Sequence, residues 1–460
     1  MQKTSIIILT YNQLTYTKEC INSIKQYTRP DYEIIVVDNA STDGTVEWLK
    51  KQVDTTAIFN DENKGFAGGC NQGILKSCGD VLVLLNNDTI VTPRWLDNML
   101  VCLNSSDKIG AVGVYSNTAG ANQNILTNYN YYNLHEIISF AENFNISNRK
   151  RWEERIRLCG FCFAVKKTVV NEVGLLDEQF FPGYYEDDDY CFRIRQSGYK
   201  LMLCGDTFIH HHGNISFKKD ADHSKVITSE FLENRKRFVE KWGFNPSYHG
   251  FIRFDVINLM NQKERLRNIR VLEIGCACGA TLLKIKHVFP HAQVFGIEIN
   301  QYAANTARDF ADIIVGDIEK IDMDGNYPYN YFDYILIPGV LEHLVDPWKI
   351  ITKIKKYLKP DGHVIANIPN VMHFSIIYQL LFGMWNYDNE TILDKTHLRF
   401  FTLKTIREMF EKSGYLINQA ETITTPVEGA NNFLDYLHMA VPPEKRNELL
   451  VNQYIIKAKK

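Results

Sequence analysis

The sequence has no long apolar run, no large excess of either charge and no two cysteine pairs at zinc-finger spacing. No stretch approaches the ~18 apolar residues of a membrane span, which excludes a helical integral membrane protein on this reading. Basic and acidic residues number 51 and 54, for a net charge of −3, so the basic excess of a general nucleic-acid binder is missing. The 10 cysteines are scattered. Cys159-Gly160-Phe161-Cys162 has the knuckle spacing, but no second pair follows at zinc distance, and its apolar neighbours fit buried thiols. Reduced thiols fit the cytosol. The opening run at residues 5–9 is too short for a secretory leader, and a cytoplasmic protein is expected. Low-complexity tracts and short-period repeats are also missing.

What is present is a soluble, globular composition, 45% apolar and 23% charged, over 460 residues. That length exceeds one ordinary core and predicts two domains. Apolar runs at 6–9, 34–37, 81–85 and 111–114 alternate with amphipathic stretches, such as 17–27, where Cys20, Ile21, Ile24 and Tyr27 fall at helical spacing. The second half repeats the pattern at 271–274, 294–297, 313–315, 334–337 and 363–368. Strand–helix–strand order predicts an α/β fold with mainly parallel sheets. Ligands on such sheets collect at the strands' carboxyl ends. A helix over 229–242 is stopped by Gly243-Phe244-Asn245-Pro246. The expected division is a domain at 1–245, a linker at 246–265 and a domain at 266–460, with a late helix near 432–439 and a last strand near 453–458.

Moving a sugar from a nucleoside diphosphate needs a seat for base and ribose, a cation on the leaving diphosphate, a base for the acceptor's proton and a close backbone. Tyr11 is suited to stacking on the nucleobase, and Asp38 to accepting from the base imide or ribose. Asn63-Lys64-Gly65-Phe66-Ala67-Gly68-Gly69 offers Lys64 and Gly65 to phosphate or sugar. Asp88 is a hard oxygen ligand suited to Mg or Mn. His210-His211-His212 offers a nitrogen ligand, and Asp187 a general base. Each also has a plainer reading. Asp38 and Asp43, with Ser41 and Thr42, fit a turn and a helix cap. Asn86-Asn87-Asp88 fits a turn, and the histidines fit a solvated loop. Glu186-Asp187-Asp188-Asp189 fits a helix N-terminus, but four adjacent carboxylates repel and call for a cation or exposure.

In their order, these segments resemble an inverting family 2 glycosyltransferase of the GT-A fold, in the rhamnosyltransferase-like branch. The resemblance covers residues 1–245. It is carried by Ile8-Leu9-Thr10-Tyr11-Asn12, Val36-Val37-Asp38-Asn39-Ala40-Ser41-Thr42-Asp43-Gly44, the segment from Asn63 to Gly69, Leu84-Leu85-Asn86-Asn87-Asp88, Glu186-Asp187-Asp188-Asp189-Tyr190 with Arg193, and His211 before Ser216. It implies nucleotide-sugar binding by Thr10, Tyr11, Asp38, Lys64, Gly65, Asn87, Asp88 and Glu186. It also implies a divalent metal (Mn or Mg) on Asp88 and His211, and Asp187 as base of a single inverting displacement. The family's metal motif often has two or three acids, where this chain has Asn86, Asn87 and one Asp88.

Gly275 and Gly279 sit in a tight loop between a strand and a helix, as a close backbone approach to a ligand requires. The dinucleotide fingerprint is absent: Ala277 and Ala280 stand where its second and third glycines would be. Glu298 ends the next strand, as an acid for a ribose diol would, and Asp317 follows the strand after it, suited to an adenine amino group. Each alone also fits an ordinary strand-end carboxylate. Together they resemble a class I S-adenosylmethionine-dependent methyltransferase, over about residues 266–420. Phe332-Asp333-Tyr334-Ile335, Val340-Leu341-Glu342-His343-Leu344, Leu358-Lys359-Pro360-Asp361-Gly362 and His397-Leu398-Arg399-Phe400-Phe401-Thr402 add to the match. The resemblance implies S-adenosyl-L-methionine held by Glu273, Gly275, Gly279, Glu298 and Asp317. Methyl transfer depends mainly on alignment. An oxygen acceptor also needs a base, for which His343 is the first candidate and His397 the second. Both also fit structural histidines.

The combined expectation is a bifunctional enzyme of glycan synthesis. It would transfer a sugar from a nucleotide-diphosphate sugar to a glycan, glycolipid or glycoprotein, and methylate the product, with oxygen the expected methyl acceptor. No nucleic acid polymer is expected as partner. A lipid-linked acceptor would bring the chain to a membrane surface peripherally. The rival reading keeps the second half as a non-catalytic module that binds S-adenosylmethionine or glycan.

Overall fold

The computed structural model describes residues 2–29, 31–213, 229–388, 391–424 and 431–460. Its contacts divide the chain into two units, Met1–Phe251 and Ile252–Lys460.

Among the described residues the first unit has ten strands: β1 Thr4–Thr10, β2 Tyr32–Asp38, β3 Thr55–Phe59, β4 Val81–Asn86, β5 Thr89–Ile90, β6 Ile109–Tyr115, β7 Glu153–Arg155, β8 Cys162–Lys166, β9 Lys200–Phe208 and β10 His210–His211. Eight form one sheet in the order β3-β2-β1-β4-β8-β6-β9-β7, and β5 pairs with β10. The β3-β2-β1-β4 half is parallel, and β8 runs antiparallel to both neighbours. Alternate residues of β1 serve opposite faces, as the period of a strand dictates. Ile6 and Ile8 pack with Cys20, Ile21, Trp95 and Met99, whereas Ile7 packs with Ala67, Cys70, Ile74 and Tyr190.

The glycine-rich segment, read from sequence as donor-facing, also serves packing. It opens the helix Gly65–Lys76. Gly65, Gly69 and Gly73 recur every four residues and so share one helix face. A Cβ at Gly69 would lie 2.1 Å from Leu9, and one at Gly73 2.4 Å from Ile7, so bare backbone lets the helix lie directly on β1. Gly69→Val is expected to destabilise the first unit by about 1–3 kcal/mol, the cost of overpacking, read as a fall in denaturant midpoint.

Among the described residues the second unit has seven strands: β11 Arg270–Ile274, β12 Gln293–Glu298, β13 Asp312–Val315, β14 Phe332–Pro338, β15 Leu358–Pro369, β16 Leu416–Thr424 and β17 Val451–Lys459. Their order is β13-β12-β11-β14-β15-β17-β16. The first five are parallel, and β17 is antiparallel to β15 and β16. The helix Asn431–Ala440 precedes β17. Residues read from sequence as linker are partly built into this unit: Ile252, Val256, Ile257, Leu259 and Met260 are buried.

All ten cysteines are free. Nine are buried or half-buried, and Cys78 is the exposed exception, its thiol beside the Glu33 carboxylate. No described helix is long and apolar enough to cross a membrane.

Candidate active sites

Parallel register gathers the first group of residues at one end of the sheet. Thr10 pairs with Asp38 across β1 and β2, and Leu9 pairs with Asn86 across β1 and β4. The loops leaving β1 and β2 are laced together. Ser41 Oγ accepts from the Asn12 amide at 2.6 Å, Asn12 Oδ1 from the Thr42 amide at 2.8 Å, and Asp43 from the Leu14 and Thr45 amides at 2.9 and 3.2 Å. Asp43 therefore serves the starts of two helices, and Tyr11, 41% exposed, projects from a braced loop. Asp38 is fully buried; one carboxylate oxygen accepts from the Ser41 amide at 2.9 Å and the other has no partner. Thr10 and Asn87 are turned inward: Asn87 Nδ2 donates to Thr17 at 3.0 Å and to Thr10 at 3.3 Å. The Lys64 ammonium pairs with Glu62 on the surface.

Of the three histidines, His211 faces Asp88. Pairing of β10 with β5 sets His211 opposite Thr89, the residue after Asp88. His211 Nε2 lies 3.2 Å from Asp88 Oδ1, both side chains buried. His211 Nδ1 donates to the Thr118 carbonyl at 2.9 Å, which turns Nε2 toward the carboxylate, where it has no aligned hydrogen bond. Burial opposes charge on both groups, yet their mutual attraction prevails: Asp88 is held below the usual carboxylate range and His211 above the usual imidazole range. A hard oxygen and an imidazole nitrogen facing each other in this way fit a divalent cation. His210 is different. Burial and the flanking imidazoles push it down to about 3, and its Nδ1 meets the Tyr129 hydroxyl at 2.9 Å.

The four acids at the start of the helix Glu186–Gln196 part in different directions. Asp189, fully buried, accepts from Arg193 at 2.8 Å, Lys241 at 2.7 Å and Trp242 at 2.9 Å. Asp188 pairs with Arg157 at 2.9 Å, and burial pushes it up to about 7 against that attraction. Glu186 is buried with one oxygen unpartnered, and burial raises it well above the usual range. The cations that four adjacent carboxylates call for are thus partly side chains of the protein. Asp187 takes its own course, Oδ2 accepting from the Gly160 amide at 2.8 Å and Oδ1 from the Asp188 amide at 2.8 Å. The next residue, Phe161, stacks its ring on His211 at 5.1 Å and accepts from the Asn86 amide at 2.9 Å. Gly160-Phe161 therefore ties Asp187 to the Asp88–His211 pair.

In the second unit, the Gly275–Gly279 loop turns on left-handed backbone at Gly275 (φ +73°), Ala277 (φ +49°) and Gly279 (φ +78°). A Cβ at Gly275 would meet Val340 at 2.5 Å. Glu298 is buried and reads the loop directly, accepting from the Ala277 amide at 2.7 Å and the Asn300 amide at 2.8 Å. Asp317 accepts from the Glu319 amide at 2.9 Å and pairs with Lys320 at 3.0 Å. Glu273 is buried beneath the loop, one oxygen unpartnered, and burial pushes it up to about 8 although Arg253 opposes this. Small loop residues beside a strand-end acid fit a nucleoside ligand such as S-adenosylmethionine. His343 and His397 lie ring to ring, 4.7 Å apart.

Residues 5–174 match the family model for glycosyl transferase family 2, and residues 231–420 match that for a methyltransferase domain. This chain joins a family 2 glycosyltransferase domain to a class I methyltransferase domain. An uncharacterized glycosyltransferase of Nostoc is 32% identical over 24% of this chain and 35% of its own length. Glycosyltransferase AglE of Haloferax volcanii is 35% identical over 20% of this chain and 33% of its own. The match thus spans about a third of these curated relatives. Among solved structures, a mannosyltransferase of Pyrobaculum calidifontis in complex with GDP-Man and Mn2+ is 20% identical over 46% of this chain and 56% of that one, with a TM-score of 0.35. A methyltransferase of Archaeoglobus fulgidus is 19% identical over 49% and 99%, with a TM-score of 0.33.

The methyltransferase match begins inside the helix Ser229–Trp242, yet that helix packs in the glycosyltransferase unit. Phe238 is buried among Phe180, Tyr185 and Phe192, and Asn234 donates to the carbonyls of Phe180, Phe181 and Gly183. Asp189→Ala is expected to cost the glycosyltransferase unit about 1.5–3 kcal/mol, because it removes a buried carboxylate on which Arg193, Lys241 and Trp242 all converge. Chemical denaturation should show that loss. Sequence reasoning missed Gly160, Phe161, Arg157 and Arg253, whose roles come from distant partners. The Ser216 of the matched motif lies outside the described residues.

Proposed function

We propose that this chain transfers a sugar from a nucleotide-sugar to a glycan, glycolipid or glycoprotein through its first domain, and methylates an oxygen of the product through its second. The observation that supports the first half is the Gly160-Phe161 bridge, with Gly160 donating to Asp187 and Phe161 stacked on His211. Asp187, oriented by two amides, takes the acceptor hydroxyl's proton as that oxygen attacks the anomeric carbon. Tyr11 and Asp38 seat the nucleoside. Asp88 and His211 would hold Mn or Mg, which when bound neutralises the departing diphosphate. Displacement in line inverts the anomeric carbon.

For the methyl step, Glu298 faces the ribose, Asp317 the adenine amino group, and Gly275 and Gly279 let backbone approach the donor. His343 and His397 stand on the acceptor side. Sharing one chain raises the effective concentration of the glycosylated product at the second site. The test supplies nucleotide sugars with methyl-labelled S-adenosylmethionine and acceptor glycans. Methyl label should enter product only when the matching nucleotide sugar is present. Sugar transfer without methyl incorporation would reduce the second domain to a binding module.

A further inference from the structure

Glu342, His343 and His397 bring one ligating atom each to within 4.8 Å of one another. Among the described residues no other group of three or more His, Cys, Asp or Glu does so. The chain builds this meeting deliberately. Both the Leu398 and Arg399 amides donate to the Glu342 carbonyl, at 2.8 and 3.0 Å, so the segment carrying His397 is clamped beside His343. Each ring is oriented from behind. His397 Nδ1 faces the Ile392 carbonyl at 2.9 Å. His343 Nδ1 faces the Thr396 carbonyl at 3.2 Å and the Thr396 hydroxyl at 3.1 Å, and that hydroxyl donates its own hydrogen to Asp394 at 2.6 Å. Carbonyls only accept, so both Nδ1 atoms carry hydrogen and both Nε2 atoms keep a lone pair. An Nδ1–H held by backbone is the outer support expected of metal-ligating histidines. The third member, Glu342, is 3% exposed, and its Oε2 has no hydrogen-bond partner. The nearby Arg253 does not supply one, since its guanidinium is bidentate on Asp255 at 2.9 and 2.6 Å.

The position is as telling as the ligands. Glu342 lies two residues after Val340, the side chain that a Cβ at Gly275 would strike. The cluster therefore adjoins the loop assigned to the methyl donor. Two imidazoles and one carboxylate suit a borderline divalent cation such as Zn or Fe rather than an all-oxygen ion, and three protein ligands leave coordination positions open.

We propose that Glu342, His343 and His397 form a second divalent-metal site, in the methyltransferase domain, whose open positions take the acceptor's hydroxyl oxygen. This rests on the methyl-transfer reading above and deepens it. Coordination lowers the hydroxyl's pKa, and its proton leaves to solvent. The oxygen's electron pair then forms the O–CH3 bond as the S–CH3 bond breaks, and the sulfonium departs as a neutral thioether. His343 acts here as a ligand, its Nε2 lone pair committed to the ion.

The test is Zn2+ titration calorimetry on the full chain, stripped with chelator, in the Asp88→Ala background so that the glycosyltransferase site is silent. One equivalent of Zn2+ should bind. Adding His397→Ala, or separately Glu342→Gln, should weaken it by roughly 100-fold, the upper end of what even an outer-shell partner costs. S-adenosylmethionine titrated into the same proteins reports the state of the fold and of the donor pocket, and should bind all of them alike. Zn2+ uptake of less than one equivalent in the Asp88→Ala chain, or uptake unchanged by both added substitutions, would overturn the site. Failure of S-adenosylmethionine to bind any of these proteins would instead overturn the methyl-transfer reading on which the site's role depends.

Discussion

Asp187→Asn is expected to slow sugar transfer by roughly 10³-fold, the middle of the range for loss of a general base. That corresponds to about 4 kcal/mol of barrier. The substitution is close in shape, so the side effect can be bounded. Asp187 accepts one amide on each oxygen, from Gly160 and from Asp188. Asn keeps one acceptor and turns its NH2 on the other amide, so one charge-assisted hydrogen bond is lost, worth about 1.5–3 kcal/mol. Initial rates should therefore collapse while the thermal midpoint falls only in proportion to that loss and the nucleotide still binds. Near-normal turnover would remove Asp187 from the base role. Loss of nucleotide binding along with turnover would place it in donor binding instead.

Glu298→Gln should weaken S-adenosylmethionine by roughly 10- to 100-fold, the loss of a charged hydrogen-bond acceptor worth about 1.5–3 kcal/mol. Two causes add. The amide loses charge toward the ribose hydroxyls, and it cannot accept from both Ala277 and Asn300, whose amides each use one Glu298 oxygen. Its NH2 would face one of those N–H groups, and the loop would shift. Calorimetry on the purified chain reads the affinity directly. Unchanged binding would mean that the donor does not touch this acid.

Much of this architecture was legible in advance because period and punctuation carry it. The apolar run at residues 6–9 and the helical spacing of Cys20, Ile21 and Ile24 correspond to β1 and the helix Leu14–Tyr27. Parallel sheets made strand ends the place to search, and register does align Thr10 with Asp38. What local reading misjudged was packing. The glycines at 69 and 73 look like part of a ligand loop until Leu9 and Ile7 are seen beneath them. Four consecutive acids look like one electrostatic problem, but helix geometry sends Asp189 to Lys241 and Asp188 to Arg157. Residues 252–260 look like a linker because their partners lie far along the chain: the Leu259 carbonyl, for one, accepts from Lys457 Nζ. Glu342 stood in plain sight beside His343, but its significance needs His397, more than fifty positions away.

The most direct measurement is paired titration of the intact chain. UDP, GDP and dTDP are titrated with Mn2+ present, and S-adenosylmethionine separately, into the wild type, Asp88→Ala and Glu298→Ala. Two chemically distinct sites predict that at least one nucleoside diphosphate binds in a manganese-dependent way that Asp88→Ala abolishes and Glu298→Ala spares, and that S-adenosylmethionine shows the opposite pattern. Absence of either ligand from the wild type, or one substitution removing both, would contradict the claim that this chain carries a sugar-donor site and a methyl-donor site.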